Sequence, residues 1–269
     1  MGNTKIEWAM KSWNPLTGCT PITAGCRNCY AMRMAKRLAG RYGYPAAPHE
    51  FDVTFHPERL EEPLRWRKPQ RVFVCSMGDF YHEDVPLAWQ IETLEVIKKC
   101  PQHTFIFLTK RPYLMGMIEF ISPDLYMPNV WLGVSISNQD DADKFIPDLL
   151  AMPAAVVRFV SYEPALAAVD MIQDLIGWLY CERCGSIVAP MPCELRCPKC
   201  DYLGVSARRI DFVIAGCETG PGARPAERDW FRDVALQCKD ADVPFFLKAV
   251  APRDHTGLLD GELCRAWPG

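Results

Sequence analysis

Three cysteines fall within an eleven-residue stretch near the amino end of the chain. Residues 18–30 read GCTPITAGCRNCY, so six residues separate Cys19 from Cys26 and two separate Cys26 from Cys29. The glycines and proline predict a loop, and the residues after Cys29 predict a helix that ends at Gly40. Thiols at a helix amino terminus are favoured as thiolates by the exposed N–H groups. Three thiolates can hold a [4Fe–4S] cluster and leave one iron without a protein ligand.

Three other interpretations of this loop stay open. A structural zinc ion would need a fourth ligand, which His49 or His56 could supply. A disulfide would leave the third cysteine unpaired. Unrelated buried thiols fit poorly with a glycine-rich loop.

A second cysteine group consists of two C-x-x-C pairs. Cys181 and Cys184 form one pair, and Cys197 and Cys200 form the other, with twelve residues between the pairs. Each pair places two thiolates on one side of a tight turn, so four thiolates can close a tetrahedron. The spacing predicts a structural Zn²⁺ site in a zinc-ribbon-like module inserted over residues 178–207, with a second iron cluster as the alternative. Cys193 lies nearby but off the pattern.

Length and composition set the broad class. The chain has 269 residues, 49% of them hydrophobic, which suits one barrel-sized α/β domain over residues 1–269. It has no run of eighteen apolar residues, so we expect no membrane partner. The thirteen cysteines are an odd number, and the first residues lack the order of a signal peptide. These features favour a reducing, cytoplasmic location.

The charge is unevenly distributed. The formal net charge is −3, but residues 1–71 contain twelve Lys and Arg against six Asp and Glu, which leaves −9 for the remainder. A basic amino-terminal third can face the phosphates of a nucleic acid or nucleotide, although a solvated face is the commoner outcome.

Short apolar segments alternate with helical patterns along most of the chain. This alternation predicts an α/β fold with parallel strands, most economically a full or partial (β/α) barrel, with a doubly wound sheet as the alternative. A short helix is also predicted from Glu58 to Trp66. The predicted main strands are 71–76, 104–109, 130–135, 156–161, 212–215 and 243–247.

Polar residues follow the ends of these strands. In parallel barrels the carboxyl ends of the strands build the active site, so these residues are candidates for one common site. They include Ser76, Asp79, Lys110, Arg111, Ser135, Asn138, Glu163, Glu218 and Lys248.

Several motifs, taken together, resemble the phage Gp37/Gp68 family over residues 4 to about 248. They are the opening Trp-Asn-Pro-x-Thr-Gly-Cys, Gly25-Cys26-x-x-Cys29-Tyr30-Ala31, Ser76-Met77-x-Asp79, Leu108-Thr109-Lys110-Arg111-Pro112, Gly133-Val134-Ser135, Glu163-Pro164 and Gly216-x-Glu218-x-Gly220-Pro221-Gly222-Ala223-Arg224-Pro225. That family is similar to radical S-adenosylmethionine (SAM) enzymes and has a three-cysteine loop at the start of a barrel. The commonest radical SAM loop has three residues between its first two cysteines, whereas this chain has six.

The resemblance implies a cofactor site, and the positions of the polar residues past the strand ends give hypothetical roles to individual residues. Cys19, Cys26 and Cys29 would bind a [4Fe–4S] cluster beside Tyr30, and the open iron would chelate SAM. Ser76 and Asp79 would hold the amino group of SAM, and Ser135 and Asn138 its ribose. Groups expected to meet the substrate or the SAM carboxylate are Glu163, Glu218 and Arg224, and those expected to bind an anionic substrate are Lys110, Arg111 and Lys248.

The resulting functional hypothesis is a radical SAM enzyme that depends on an electron donor and acts on a nucleic acid or nucleotide. The alternative is a zinc- or cluster-containing nucleic-acid-binding protein without radical chemistry. No Walker loop, G-x-S-x-G elbow or H-E-x-x-H motif occurs, so the common hydrolase chemistries have no support.

Overall fold

The computed structural model describes residues 4, 6–117, 127–152, 157–190, 196–254 and 256–268. The chain forms two compact units, Met1–Ser135 with Ala154–Val156 and Ile136–Pro153 with Val157–Gly269. Both are mixed α/β, as predicted. Among the described residues, the first unit contains four parallel strands and the second contains three. A closed barrel and a single domain over residues 1–269 stay predictions.

The first unit is built on four parallel strands in the order β1-β4-β5-β6. Its elements are β1 (Lys11–Trp13), β2 (Leu16–Thr17), α1 (Tyr30–Leu38), β3 (Thr54–Phe55), β4 (Arg71–Val74), α2 (Leu87–Lys98), β5 (Thr104–Thr109) and β6 (Val130–Ile136).

Strand β1 was not predicted from the sequence. Only three residues long, it pairs in parallel with β4, from Lys11 opposite Val72 to Trp13 opposite Val74. Its sequence, Lys-Ser-Trp, has none of the continuous apolar character of the neighbouring strands. Trp13 is fully buried, and its indole N–H donates to the Arg59 carbonyl at 2.9 Å.

The three-cysteine loop and α1 lie in the long segment between β2 and β3 of the first unit. Strands β2 and β3 pair antiparallel and bring together the two ends of residues 18–53. Ala31 and Ala35 are buried on the inner side of α1, where they pack with Tyr44 and Met77. The small alanine side chains allow the helix to approach closely. The predicted helix beginning at Tyr30 is confirmed, and it ends two residues before Gly40.

The second unit has three parallel strands in the order β7-β11-β12. Its elements are α3 (Gln139–Ala151), β7 (Val157–Tyr162), α4 (Ile172–Ile176), β8 (Trp178–Cys181), β9 (Ile187–Pro190), β10 (Val205–Arg208), β11 (Phe212–Gly216), α5 (Arg228–Asp240), β12 (Phe245–Ala249), β13 (Leu258–Leu259) and β14 (Glu262–Leu263). Strand β11 is buried along its whole length, as expected of a strand covered on both faces.

A separate antiparallel sheet of three strands, in the order β10-β8-β9, interrupts the parallel pattern of the second unit. Strands β8 and β10 pair from Cys181 opposite Val205 to Trp178 opposite Arg208. The predicted insertion at residues 178–207 therefore coincides with a change from parallel to antiparallel pairing. Cys193 lies outside the described residues.

One predicted helix is wrong. Residues Glu58 to Trp66 form two short 3-10 turns, Pro57–Arg59 and Glu62–Arg65. Pro63 has no N–H to donate and its ring obstructs the preceding turn, so a continuous helix cannot pass through it. Within the described ranges, no helix has both the length and the apolar character needed to cross a bilayer.

Candidate metal centres

The three-cysteine loop is fastened beyond the carboxyl ends of β1 and β4. The Gly18 N–H donates to the Met77 carbonyl at 3.0 Å, and Gly18 also forms a parallel bridge with Gly78. A Cβ on Gly78 would lie 2.7 Å from the Gly18 oxygen. Gly18 itself has φ +95°, and a Cβ there would lie 2.2 Å from the Asp52 oxygen. The loop can therefore dock only where both positions are glycine.

Helix α1 is anchored at its first residue. The Tyr30 hydroxyl donates to the Ser76 carbonyl at 2.7 Å, just past the end of β4. The Ser76 hydroxyl bonds to the Ser12 hydroxyl and donates to Asn14 Oδ1 at 3.2 Å. Cys29 occupies the N-cap position of the helix, and its side chain makes no capping bond. The third thiol is thus set at the helix amino terminus, as predicted.

Arg111 connects the loop to the strand ends. Its side chain is 1% exposed. The Nη1 group lies 3.5 Å from the Cys19 sulfur and 3.3 Å from Asp79 Oδ2, and Nε donates to Glu83 Oε2 at 2.7 Å. The Nη2 group donates to the carbonyl and hydroxyl oxygens of Thr20, at 3.0 and 2.8 Å. This guanidinium is engaged with groups inside the protein, and binding of an anionic substrate by Arg111 stays a prediction.

Asp79 is a buried acceptor for several donors around the same point. Its carboxylate accepts the Thr109 hydroxyl at 2.7 and 2.8 Å, the Tyr81 N–H at 3.0 Å and the Lys110 N–H at 3.4 Å, besides Arg111. These contacts indicate that Asp79 holds the residues after β4 and β5 in position. Binding of the SAM amino group by Asp79 stays a prediction.

The loop thiols have different electrostatic environments. Burial, with a smaller contribution from the charge of Asp79, raises the pKa of Cys19 to about 12, although Arg111 opposes this. Burial also disfavours the thiolate of Cys26, but hydrogen bonds from the backbone of Ile22 and Thr23 and the charge of Lys110 leave its pKa below the usual value. Arg111 and Lys110 thus place positive charge near two sulfurs that a metal would bind as thiolates.

A cleft of about 290 Å³ opens beside Cys19. Its lining includes Met32 and Lys36 of α1, and Pro48 and residues 50–53 of the segment before β3. Thr20, His82 and Asp84 complete the lining. His82 is buried and bonds to the Thr20 hydroxyl at 2.8 Å, which joins it to the Arg111 network. The cleft is a candidate route by which a small molecule reaches Cys19.

The second cysteine group can bind a metal ion. The Sγ atoms of Cys181 and Cys200 are 3.5 Å apart, those of Cys184 and Cys197 are 3.5 Å apart, and those of Cys184 and Cys200 are 3.6 Å apart. All four ligand atoms lie within 4.8 Å of one another. Hydrogen bonds from the side chain and backbone of Ser186 lower the pKa of Cys184 to about 6.

Two equivalent turns position these four thiols. The Gly185 N–H donates to the Cys181 carbonyl, and the Asp201 N–H donates to the Cys197 carbonyl, both at 2.9 Å. Gly185 and Asp201 both have a positive φ, at 69° and 55°. Glycine adopts this left-handed conformation freely and aspartate tolerates it better than most residues. Each C-x-x-C pair is therefore followed by a residue that allows the backbone to turn back.

The two cysteine groups differ in spacing. In the described part of the chain, Cys181, Cys184, Cys197 and Cys200 are the one group of Cys, His, Asp or Glu ligands close enough to share a single ion. The three-cysteine loop does not form such a group with His49 or His56. The His49 ring bonds to Asp52, and the His56 ring bonds to the Thr17 hydroxyl.

The charged residues predicted at the strand ends of the second unit occur as two ion pairs. Lys248 Nζ lies 2.7 Å from Glu163 Oε1. Arg224 donates to both carboxylate oxygens of Glu218, from Nη2 at 2.6 Å and from Nε at 2.9 Å. Asn138 accepts the Asp141 N–H at 2.9 Å and so caps α3. These pairings keep the side chains fixed at the carboxyl ends of β7, β11 and β12.

Residues 3–256 match the model of a family described as protein of unknown function (DUF5131). The chain belongs to the DUF5131 family. No curated protein and no solved structure matches the chain. Membership of this family assigns no chemistry, and the resemblance to the phage Gp37/Gp68 family stays an expectation.

The predicted site residues divide between the two units. Cys19, Cys26, Cys29, Tyr30, Ser76, Asp79 and Ser135 belong to the first, and Asn138, Glu163, Glu218, Arg224, Lys248 and the four cysteines of the second group belong to the second. Ser135 bonds through its hydroxyl and its carbonyl to Lys110 Nζ. The contact of Arg111 with Cys19 was not predicted, because a cation after a strand gives no sign of whether its side chain turns inward.

Proposed function

We propose that this DUF5131 protein is a radical SAM-type iron–sulfur enzyme, in which Cys19, Cys26 and Cys29 bind a [4Fe–4S] cluster. The observation that supports this most is a loop of three free thiols held against the carboxyl ends of parallel strands by a buried arginine. Cysteines on different irons of a cube lie farther apart than cysteines on one ion. The loop, whose thiols do not form a single-ion group, is therefore better suited to a cluster than to zinc.

The hydrogen bonds around the sulfurs also suit a cluster. Arg111 donates to Cys19, and the Thr23 hydroxyl lies 3.7 Å from the Cys26 sulfur. Donors to cluster sulfurs and nearby positive charge offset the negative charge of a thiolate-bound cluster and raise its reduction potential. The loop is only half-buried, which leaves room for a ligand on an iron without a cysteine.

A [4Fe–4S] cluster held by Cys19, Cys26 and Cys29 would supply one electron, taken from an external donor, for the reductive cleavage of SAM to methionine and a 5′-deoxyadenosyl radical, which would take a hydrogen atom from substrate. The protein positions the reactants and excludes water. Tyr30 and Ser76 hold α1 and the strand end together, and Asp79 and Arg111 hold the loop. In the second unit Glu163 pairs with Lys248 and Glu218 pairs with Arg224, and the roles expected for these groups toward substrate or the SAM carboxylate stay predictions.

For the second cysteine group we propose a structural Zn²⁺ ion. A zinc ion bound tetrahedrally at about 2.3 Å requires sulfurs about 3.8 Å apart, close to the 3.5 and 3.6 Å separations of these thiols. A cube would need wider spacing, so a second iron cluster is disfavoured. Four cysteines leave no open position for substrate, so the ion stabilises the antiparallel sheet as a zinc-ribbon-like module.

The test is anaerobic reconstitution of the full chain with iron and sulfide, followed by reduction with dithionite in the presence of SAM. We expect bound iron and sulfide and the release of 5′-deoxyadenosine, measured by chromatography and mass spectrometry. Cys26→Ala should lose both the iron and the product, and it should keep its zinc. Cys100→Ala removes a buried thiol of the same unit outside the loop and should retain iron and product.

Two results would refute the assignment. A reconstituted chain without iron and sulfide would leave the loop with no cluster. Full cleavage of SAM by Cys26→Ala would place the chemistry elsewhere. If a colourless protein with two zinc ions per chain binds nucleic acid, the alternative of a binding protein without radical chemistry replaces the proposal.

A further inference from the structure

The segment that carries the three cysteines is strongly cationic. Residues 8–49 contain no Asp or Glu, although the whole chain has a net charge of −3. Attraction of anions is therefore a local property of this segment and not of the molecule. Its six cations are Lys11, Arg27, Arg33, Lys36, Arg37 and Arg41.

Helix α1 presents part of this charge on one exposed stripe. Tyr30, Met34 and Arg37 are spaced by four and three residues, so they lie along the same side of the helix, away from the side on which Ala31 and Ala35 are buried. Arg27 is exposed just before the helix, and Arg41 and Tyr42 are exposed just after it. We refer to Arg27, Tyr30, Met34, Arg37, Arg41 and Tyr42 as the basic face.

The arginines of the basic face have no internal counter-ion. Among the described residues, Arg27, Arg37 and Arg41 form no ion pair, whereas Arg59, Arg111, Arg224 and Arg232 all do. Acidic side chains do occur near α1, but Asp52 and Asp84 line the cleft on the flank that carries Lys36. The basic face therefore offers unneutralised guanidinium groups to an external anion.

Aromatic rings are interleaved with these charges. Tyr42 is 76% exposed and Tyr30 is 46% exposed. The Tyr42 backbone has φ +52°, and its carbonyl accepts a hydrogen bond from Arg59, which fixes the residue at the turn after α1. Exposed aromatic rings among arginines are the arrangement that stacks unpaired bases and contacts phosphates. An acidic peptide would use the charges but not the ring faces.

We propose that the basic face binds a single nucleic-acid strand, with Arg27, Arg37 and Arg41 on the phosphates and Tyr42 stacked on a base. The face begins at the cysteine loop, because Tyr30 directly follows Cys29. Arg37 lies about 12 Å along the helix from Cys29, so a strand held there reaches the loop within a few nucleotides. A nucleic-acid strand is therefore the substrate class that we infer for the proposed enzyme. Binding of the strand does not depend on the proposed function, whereas its role as substrate rests on that function.

The experiment measures fluorescence anisotropy of labelled single-stranded DNA and RNA, and of duplex DNA, with the full chain over a series of salt concentrations. We expect a single strand to bind more tightly than duplex, and affinity to fall as salt rises. Arg37→Ala with Arg41→Ala should weaken binding about tenfold and reduce the slope of log affinity against log salt by about 1.4, as for two lost phosphate contacts. Both positions are exposed, so unfolding temperature should change little.

Two controls distinguish binding at the basic face from nonspecific attraction to positive charge elsewhere on the protein. Arg67→Ala with Lys68→Ala removes the same charge from an exposed loop before β4 and should leave affinity and slope unchanged. Tyr42→Phe keeps the ring and should bind as the wild type does, whereas Tyr42→Ala should bind about tenfold more weakly. Equal weakening by both charge doubles, or tighter binding of duplex, would overturn the proposal.

Vesicles of phosphatidylcholine and phosphatidylglycerol in equal parts test whether the basic face binds an anionic membrane surface instead. Binding to vesicles without binding to either strand would overturn the nucleic-acid assignment. Failure of this inference is distinguishable from failure of the proposed function, because strand binding is measured without SAM. Cleavage of SAM without strand binding refutes the basic face alone, and strand binding without cleavage refutes the radical chemistry alone.

Discussion

The guanidinium of Arg111 lies 3.5 Å from the sulfur of Cys19, although the two residues are 92 positions apart in the chain. Arg111 follows β5, whereas Cys19 follows β2. The same guanidinium contacts Asp79 and Glu83, so the first thiol of the loop is tied to two acidic groups. A buried arginine with five donors in a planar fork can hold several acceptors at once, which lysine cannot do.

Arg111→Lys is expected to lower iron binding by the three-cysteine loop. Lysine keeps the charge but cannot reach Cys19, Asp79, Glu83 and Thr20 together, so the loop loses its fixed position. We expect a loss of about 2–4 kcal/mol in the free energy of unfolding of the apo protein, since a buried pair is broken. Iron and sulfide content after reconstitution, and urea unfolding, are the measurements.

Arg158→Lys is the matched control. Arg158 is also buried, but it belongs to the second unit and donates to the Met152 carbonyl. This variant should lose stability and still bind iron. Equal iron contents in Arg111→Lys and the wild type would show that Arg111 does not position Cys19.

Gly78→Ala is expected to displace the three-cysteine loop. The new Cβ would lie 2.7 Å from the Gly18 oxygen, so the backbone of one segment must move. We expect a loss of about 2–3 kcal/mol in unfolding free energy, together with a lower iron content. Gly116→Ala is the control, because a Cβ there meets nothing within 4 Å. A Gly78→Ala variant with wild-type stability would contradict the close approach of the two glycines.

Cys184→Ser is expected to reduce zinc from one ion per chain to a small fraction, while the iron content stays unchanged. Loss of one of four thiolates opens the tetrahedron and removes the metal's contribution to the stability of the β8–β10 sheet. Metal analysis and limited proteolysis within residues 178–207 are the measurements. Cys264→Ser, a partly exposed cysteine outside the group, should keep its zinc. Retention of a full zinc ion by Cys184→Ser would rule out the four-thiolate site.

His56 gives the protein a predictable sensitivity to acid. Burial, assisted by the charge of Arg59, lowers the pKa of His56 from 6.5 to about 4. Between these values the unfolded chain binds the proton and the folded chain does not, so the free energy of unfolding falls as pH is lowered through this window. The loss from this residue is on the order of 3 kcal/mol.

Urea unfolding at a series of pH values tests this contribution. His56→Gln keeps a polar group beside the Thr17 hydroxyl but does not titrate, so its stability should fall less steeply between pH 6.5 and 4. Identical slopes for His56→Gln and the wild type would refute the assignment.

Periodicity and spacing determined the main elements. Continuous apolar runs located β4, β5, β6, β7, β11 and β12, because strands buried on both faces must be apolar along their length. The pair spacing of Cys181, Cys184, Cys197 and Cys200 predicted their convergence, because a tight turn brings each pair to one side and the intervening chain is long enough to return. The change to antiparallel pairing falls within the predicted insertion.

Only the tertiary structure decided how the polar residues are used. The sequence could not show that Arg111 turns inward to Cys19, that Gly78 forms a backbone bridge with Gly18, or that Glu163 pairs with Lys248. Each of these contacts joins segments that are distant in the chain, and local propensity contains no information about such distances. Residue types and local periodicity therefore set the strands, the helices and the candidate ligands, while long-range packing decided which charges face a sulfur, a neighbour or solvent.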